Sequence, residues 1–479
     1  MHDMILILNY SDEFSIEIAR RLRAERVYTR IVPGDIPADE IAVIAPRGVI
    51  LGGEAAGEGE GFDAKIVKLG IPVLAMGHAA HMLLAAMGGA SASTAIAEKK
   101  ALIQYGDSAL FAGVGDGERY LEQAKTLMLP PDVREIAEAG GCTIAFEDEE
   151  KLRYGIQFEL ERNDPDGSAI LMNFVRDVCG SEPWWSEERA LEQACDVLSQ
   201  AAKNTNYALC GVSGGVDSTV AAVLTHRAFG GRMKAVFVDT GLLREGEPEE
   251  VQALFTSLGV PFEYVDRSQE IIGALRGCVD RASKREIVTG VMHDEMVSRG
   301  RSMDGLVTMV LGTNYSDFLH SGSNKRKWID SGMHIAEPLL ELFKEEVRDI
   351  AQRVGLDEQA AGRKPFPALG LGARILGEVT AERIDALRSA ETIFREEIVE
   401  AGLERKLYKY FPVLAGYEAA GGEMLILRAV TLSGSMLVPA RLPYDLVERT
   451  VQRIQEKYPG IIRVFYDQTP TQLGKETFS

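Results

Sequence analysis

The run SGGVDS, Ser213–Ser218, stands between the apolar stretch YALCGV and the helical pattern STVAAVLTHRAF. Glycines let successive backbone N–H groups converge on one anion, serine hydroxyls add donors, and a helix N-terminus adds partial positive charge. That is the chemistry of a phosphate cradle. Glycine-rich turns between strand and helix also serve packing alone, but six residues in strand, loop and helix context favour the cradle over that reading. The loop does not end in GK[ST], so it is not the Walker form, and it lacks the spacing of the dinucleotide form.

A second stretch, VLAMGHAAHMLLAAMGG at 73–89, reads as strand, small-residue turn and helix. Such a turn is built to hold up a nucleophile, yet its apex is Gly77. His78 and His81 follow, with no thiol or hydroxyl expected within their reach, and both are expected to be surface or partly packed residues.

Several elements must position these groups. From residue 1 to about 180, short β-rich runs (MILILNY, IAVIAP, GVILGG, IPVLAM, TIAFED, YGIQFE) alternate with helical patterns such as SIEIARRLRAE, the signature of an α/β layer fold. GSEPWWSEE at 180–188 reads as a linker into a helix starting near Glu188. A second α/β unit follows, with strands in NYALCGV, MKAVFVD, PFEYVD and GLVTMVLGTNY and helices in EPEEVQALFTSLG and ELFKEEVRDIAQRVGL. From about 362 the strands RILGEVT, LILRAVTL and IIRVFYD surround two long helices, which suggests a small α+β domain.

Composition narrows the function classes. The formal net charge is −20, which argues against nucleic acid or an anionic membrane surface as the main partner and leaves small molecules or proteins. Five cysteines stand far apart without a CxxC pair, so reduced thiols are expected rather than a zinc site or disulfide framework. No apolar run reaches a membrane-spanning length and the start MHDMILILNYSDEF lacks a basic region and a cleavage site, so a cytoplasmic protein is the expectation.

SGGVDS resembles the pyrophosphate loop of the N-type ATP pyrophosphatases. With VFVDTGLLREGE (236–247), Lys284 and Arg285, LGTNYSDFLHSG (311–322), AEPLLELFKEEVRDI, FPALGLGARILGEV, LRAV, RLPYD and RVFYD, the chain resembles the glutamine-hydrolysing GMP synthase family over its whole length. The resemblance implies an α/β fold in three parts: a class I amidotransferase-like domain at 1–182, an adenine-nucleotide α-hydrolase-like (ATP pyrophosphatase) domain at 189–361, and a small α+β dimerisation and acceptor domain at 362–479. It implies ATP and Mg²⁺ as cofactors, with Asp217 helping to hold the metal. Ser213, Gly214, Gly215, Val216, Asp217, Ser218, Val238 and Gly312 would bind the nucleotide, and Asp217, Lys344 and Arg374 would be catalytic, although Lys344 and Arg374 are equally readable as surface charges. Adenylation of an acceptor oxygen, xanthosine monophosphate (XMP) or another nucleotide-like molecule, would release pyrophosphate, and ammonia would displace AMP.

The chain departs from that family at both ends of the reaction. The glutaminase triad is Cys, His and Glu, and here Gly77 replaces the cysteine, Glu159 replaces the histidine, and only Glu161 remains. Gly52 and Gly53 stand where the family places an oxyanion donor, without a thioester to serve. The expectation is a degenerate glutaminase domain, with ammonia from solution or a separate donor. The tail DQTPTQLGKETFS (467–479) keeps Asp467 but loses the family's lysine and double proline, and the lid region is rewritten around Lys325, Arg326 and Lys327. Two other readings stand beside the ligase: sulfur transfer through Cys278 near Lys284 and Arg285, against which a small buried cysteine weighs, and a non-catalytic ATP-binding regulatory relative. A homodimer through the C-terminal domain is expected by resemblance.

Overall fold

The computed structural model describes residues 3–52, 63–95, 100–121, 124–158, 160, 164–321, 328, 330–362, 369–417, 421–433 and 436–472. The chain divides into two compact units, 1–190 with 319–322, and 191–318 with 323–479.

In the first unit a nine-stranded sheet runs in the spatial order Thr29–Pro33, Ile5–Asn9, Gly48–Gly52, Val73–Met76, Arg153–Ile156, Cys142–Asp148, Arg134–Ala139, Lys100–Tyr105 and Gly117–Tyr120. The first five are mutually parallel and the rest join antiparallel. ILIL, GVILG and VLAM are buried at every position. Strands covered on both faces read as continuous apolar runs, which is why they were visible without alternation.

IAVIAP is a correction. It does not form a strand: Ala38–Ile44 is a helix, with Asp39 and Glu40 in its first turn and a left-handed Ala45 closing it. Ile41 is buried while Val43 is exposed, a helical rather than a two-residue period. The β-branched residues favoured a strand, and the acids after Pro37 carried the contrary signal.

GSEPWWSEE also differs from the linker reading. Trp185 is buried, its backbone N–H donates to Arg26 O at 2.8 Å, and its ring lies 4.7 Å from that of Tyr28, tilted by 32°, under the Arg23 guanidinium. Trp184 Nε1 donates to Asp3 O at 2.5 Å. The tryptophan pair is therefore packed into the first unit, and the helix Glu187–Asn204 begins within the last residues of the segment.

The second unit holds two sheets. A five-stranded parallel sheet runs in the order Phe262–Asp266, Met233–Asp239, Tyr207–Gly211, Val307–Val310, His334–Ala336. The chain builds outward from Tyr207–Gly211 on one side and then returns to build on the other. That reversal opens a crevice beyond the carboxyl ends of Tyr207–Gly211 and Val307–Val310, where ligands bind in open parallel sheets. A six-stranded sheet, including Lys409–Tyr417 and Gly422–Ser433, packs against the helix Ala381–Glu400.

One core joins these parts. Leu242, Ile271, Leu275 and Val288 cluster with Leu371, Ile375, Leu387, Phe394, Leu414 and Leu427. The close fit is visible at Gly370, where φ is +53° and a Cβ would lie 2.2 Å from Leu242 O. Only glycine satisfies both that dihedral and that approach. Lys284 reinforces the join: it is buried and its Nζ donates to Ile375 O at 2.8 Å and Gly377 O at 2.6 Å. Burial pulls its pKa below the usual lysine value.

Candidate functional site

Ser213–Ser218 lies in the crevice. The strand Tyr207–Gly211 ends, Val212 N donates to Val236 O at 3.0 Å, and the chain turns through Gly214 at φ +76°. The helix Val216–Phe229 then begins at Gly215 with no side-chain cap. An uncapped helix N-terminus leaves backbone N–H groups facing the loop, the arrangement that receives phosphate. Ser218 Oγ accepts from Ser213 N at 3.2 Å and donates to Gly215 O at 3.1 Å, so the two serines close the loop on itself.

Asp217 sits in the first turn of this helix, buried to 7% exposure. Lys344 Nζ donates to its Oδ2 at 3.1 Å, while Oδ1 is buried without a hydrogen-bond partner. Lys344 is itself the first residue of the helix Lys344–Arg353, where a cation opposes the helix dipole. A lysine placed there against local preference brings positive charge to the loop Ser213–Ser218. Gly312, just beyond Val307–Val310, approaches from the other side: a Cβ on it would lie 3.0 Å from Ser218 Cα and N. The segment after it is tied down by Asn314, buried, which accepts from Asp317 N at 3.0 Å.

Val238 is buried at the end of the neighbouring strand. Asp239, which follows it, accepts from Gly241 N at 2.8 Å and from Tyr264 Oη at 2.7 Å. Burial and the Asp239 carboxylate push the Tyr264 pKa upward. Neither role is readable from VFVDTGLL or PFEYVD alone, because the Tyr264 contact depends on the register of two adjacent strands.

The metal fit can be judged from the donors. Among the described residues no group of three or more His, Cys, Asp or Glu could hold an ion by itself. The buried Oδ1 of Asp217 offers one carboxylate ligand, which matches Mg²⁺ bound through one or two carboxylates plus substrate phosphates.

A family model described as NAD synthase matches residues 190–403. The GMP synthase (glutamine-hydrolyzing) of Geobacillus kaustophilus is 33% identical over 498 residues, covering 98% of this chain and 98% of that one. The chain belongs to the GMP synthase family. A Bacillus cereus GMP synthase (glutamine-hydrolyzing) is likewise 33% identical, covering 98% and 97% of the two chains. A solved structure from Thermoplasma acidophilum, described as that of a GMP synthase component, is 18% identical, covers 40% of this chain and 98% of that one, and has a TM-score of 0.32. Membership makes this chain a GMP synthase-like, ATP-dependent ligase. Among the described residues no helix is long and apolar enough to cross a membrane.

Arg374 and Cys278 are each engaged by other groups of the second unit. Arg374 is buried, donates to Glu391 Oε1 at 2.9 Å and lies 4.6 Å over the Phe411 ring. Arg244 donates to the same oxygen at 3.0 Å. Cys278 is half-buried with its Sγ 3.7 Å from Asp280 O, and the Lys284 ammonium beside it is directed at two carbonyls.

In the first unit the chain turns sharply where the strand Val73–Met76 ends. Gly77 has φ +60° and ψ −128°, its N–H donates to Ile156 O at 2.9 Å, and the helix His78–Ala86 starts at once. A Cβ on Gly77 would meet no atom within 4 Å, so the space for a side chain is present and the side chain is not. Glu159, Glu161, Gly53 and Lys325–Lys327 lie outside the described residues. Gly52 is described: a Cβ on it would lie 2.0 Å from the Phe14 ring.

The isolation expected for the histidines is corrected. His78 is exposed, but His81 Nδ1 lies 2.6 Å from Ser91 Oγ, a hydroxyl ten residues on that the turn from helix to strand brings back. Burial, then the nearby positive charges of His78 and Lys125, depress the His81 pKa from 6.5 to about 4. The unfolded chain therefore binds a proton near pH 6.5 that the folded chain refuses until about pH 4. Its contribution to stability is complete above pH 6.5 and is lost as pH falls toward 4. Thermal midpoints measured at pH 7 and pH 4.5 are expected to converge in His81→Gln relative to the parent; an unchanged difference would contradict this assignment.

Proposed function

We propose that this protein uses ATP to adenylate an oxygen of XMP or a related nucleotide-like acceptor, and that ammonia not made by its own first unit displaces AMP. The acceptor oxygen attacks the α-phosphorus and pyrophosphate departs with the bonding electrons. The nitrogen lone pair then attacks the activated carbon, AMP leaves with the C–O electrons, and the new amine loses a proton. Mg²⁺, bound with the nucleotide, would neutralise charge on the phosphates.

The observation that carries this reading is the Asp217–Lys344 pair at the uncapped N-terminus of Val216–Phe229, with one carboxylate oxygen free of hydrogen bonds. Ser213–Ser218 would hold pyrophosphate, Lys344 would offset its charge, and Val238 and Gly312 would border the nucleotide. Arg374, bound to Glu391, would support the acceptor side. Gly77 supports an external ammonia source, since glycine has no group to form an acyl-enzyme. Dimerisation through the C-terminal domain (362–479) is supported by the exposed apolar residues Leu432, Met436, Val438 and Phe465 on adjoining strands.

A second acceptor class is favoured by the rewritten tail. The tail 467–479 has lost the family's lysine, and Arg428, buried, pairs with the retained Asp467 and donates to Thr471 Oγ1 at 2.5 Å, so it does not replace that lysine. The lost lysine leaves less positive charge for a nucleotide phosphate and favours an acceptor other than XMP. ATP–pyrophosphate exchange over a nucleotide panel that includes XMP, followed by comparison of ammonium with glutamine as donor, tests both parts.

A further inference from the structure

The turn that leaves the strand Met233–Asp239 is held by a side chain from far along the sequence. Arg388, on the helix Ala381–Glu400, donates from Nη2 to Gly241 O at 2.7 Å and from Nε to Leu243 O at 2.9 Å. Its Nη1 donates to Asp385 Oδ1 at 2.7 Å, which orients the guanidinium plane. Between the two bonded carbonyls, Leu242 is fully buried and its own carbonyl accepts from Leu371 N at 2.7 Å. Three successive carbonyls, of Gly241, Leu242 and Leu243, are thus all taken by the chain beyond residue 369.

The turn has little freedom to reach this geometry by itself. Gly241 has φ +73° and a Cβ on it would lie 2.8 Å from Ser268 Cβ. The same helix adds Glu391, which accepts from Arg244, and Thr392, which donates to Glu245 Oε2 at 3.1 Å. Every one of these contacts falls within 241–245, directly after Val238 and Asp239. The planar fork of arginine suits two carbonyls at fixed spacing, where an ammonium would be a point donor.

We propose that Arg388 is a positioning residue for the nucleotide site: it fixes the Gly241–Leu243 turn, and through it the end of the strand carrying Val238 and Asp239, so that nucleotide affinity depends on the helix Ala381–Glu400. The inference rests on the reading of the crevice as the ATP site. It makes the acceptor-side helix and the nucleotide crevice one mechanical piece. Ordering of that helix then favours ATP binding, and a bound nucleotide favours the ordered helix in return.

The test measures ATP–pyrophosphate exchange in the full chain for the parent, Arg388→Met and Arg388→Lys, with thermal midpoints alongside. Arg388→Met is expected to raise the KM for ATP about tenfold with kcat changed less than about threefold, the split expected when binding rather than chemistry is lost. Arg388→Lys is expected to recover part of the KM. A lowered midpoint with an unchanged KM would assign Arg388 to stability alone and overturn the proposal. Should Arg388→Met fail to fold, Arg388→Lys decides: a KM raised severalfold supports positioning, and a parental KM overturns it. Absence of exchange in the parent would instead overturn the ATP reading on which the inference rests.

Discussion

Asp217→Asn is expected to lower ATP–pyrophosphate exchange by about 100- to 1,000-fold while the protein stays folded. The carboxylate is in the first turn of Val216–Phe229, buried, with Lys344 on one oxygen and no hydrogen-bond partner on the other. Asparagine keeps the shape and removes the charge. Lys344 then has no counter-charge at 3.1 Å, and the open oxygen becomes either a neutral acceptor or an amide donor. The side chain of Lys344 is 29% exposed, so water can solvate it and the fold survives. Exchange rates measured at saturating ATP check the effect, and a variant within threefold of the parent would remove Asp217 from the machinery.

Gly312→Val is expected to cost about 100-fold in kcat/KM for ATP, the scale of a displacement of roughly 1 Å in a positioned site. A Cβ alone would stand 3.0 Å from Ser218 Cα and N and 3.1 Å from the Asp217 carbonyl carbon. All three are backbone atoms of a helix start, which cannot rotate aside as a flexible side chain would. Two γ-methyls enlarge the conflict and push Ser213–Ser218 away from the strand Val307–Val310. Gly312→Ala provides the graded control, with a smaller loss in the same parameter. Equal activity in all three forms would show that the close approach is not part of the phosphate site.

The strand, loop and helix around Ser213–Ser218 were legible because their signal is local: six residues, an apolar strand before them and a helix after. The parallel strands of the first unit were legible for the same kind of reason, as unbroken apolar runs. IAVIAP failed because a seven-residue helix has too few turns for its period to outweigh β-branched residues. The tryptophan pair looked like punctuation, since its partners Tyr28, Arg23 and Arg26 lie at the far end of the first unit's sequence.

Candidate site residues followed the same division. Lys344 was expected from its motif, but its bond to Asp217 spans 127 residues and no pattern predicts it. His81 was expected to lack a hydroxyl partner, and the chain reversal after Gly88 and Gly89 supplied Ser91. Arg388 carried no signal at all: an arginine on an amphipathic helix reads as a surface charge until the carbonyls of Gly241 and Leu243 are in place. The change of pattern near 361 is not a break in packing, because Leu242, Ile271 and Val288 share one core with Leu371 and Phe394.

The proposed function joins phosphate binding at Ser213–Ser218 to a turn whose apex, Gly77, has no nucleophile, and the donor comparison tests that union most directly. With purified protein, ATP, Mg²⁺ and the acceptor that best drives pyrophosphate exchange, amination is expected with ammonium, and with glutamine at below about 1% of the ammonium rate. Glutamine matching ammonium with no partner added would contradict an elbow that cannot hydrolyse it.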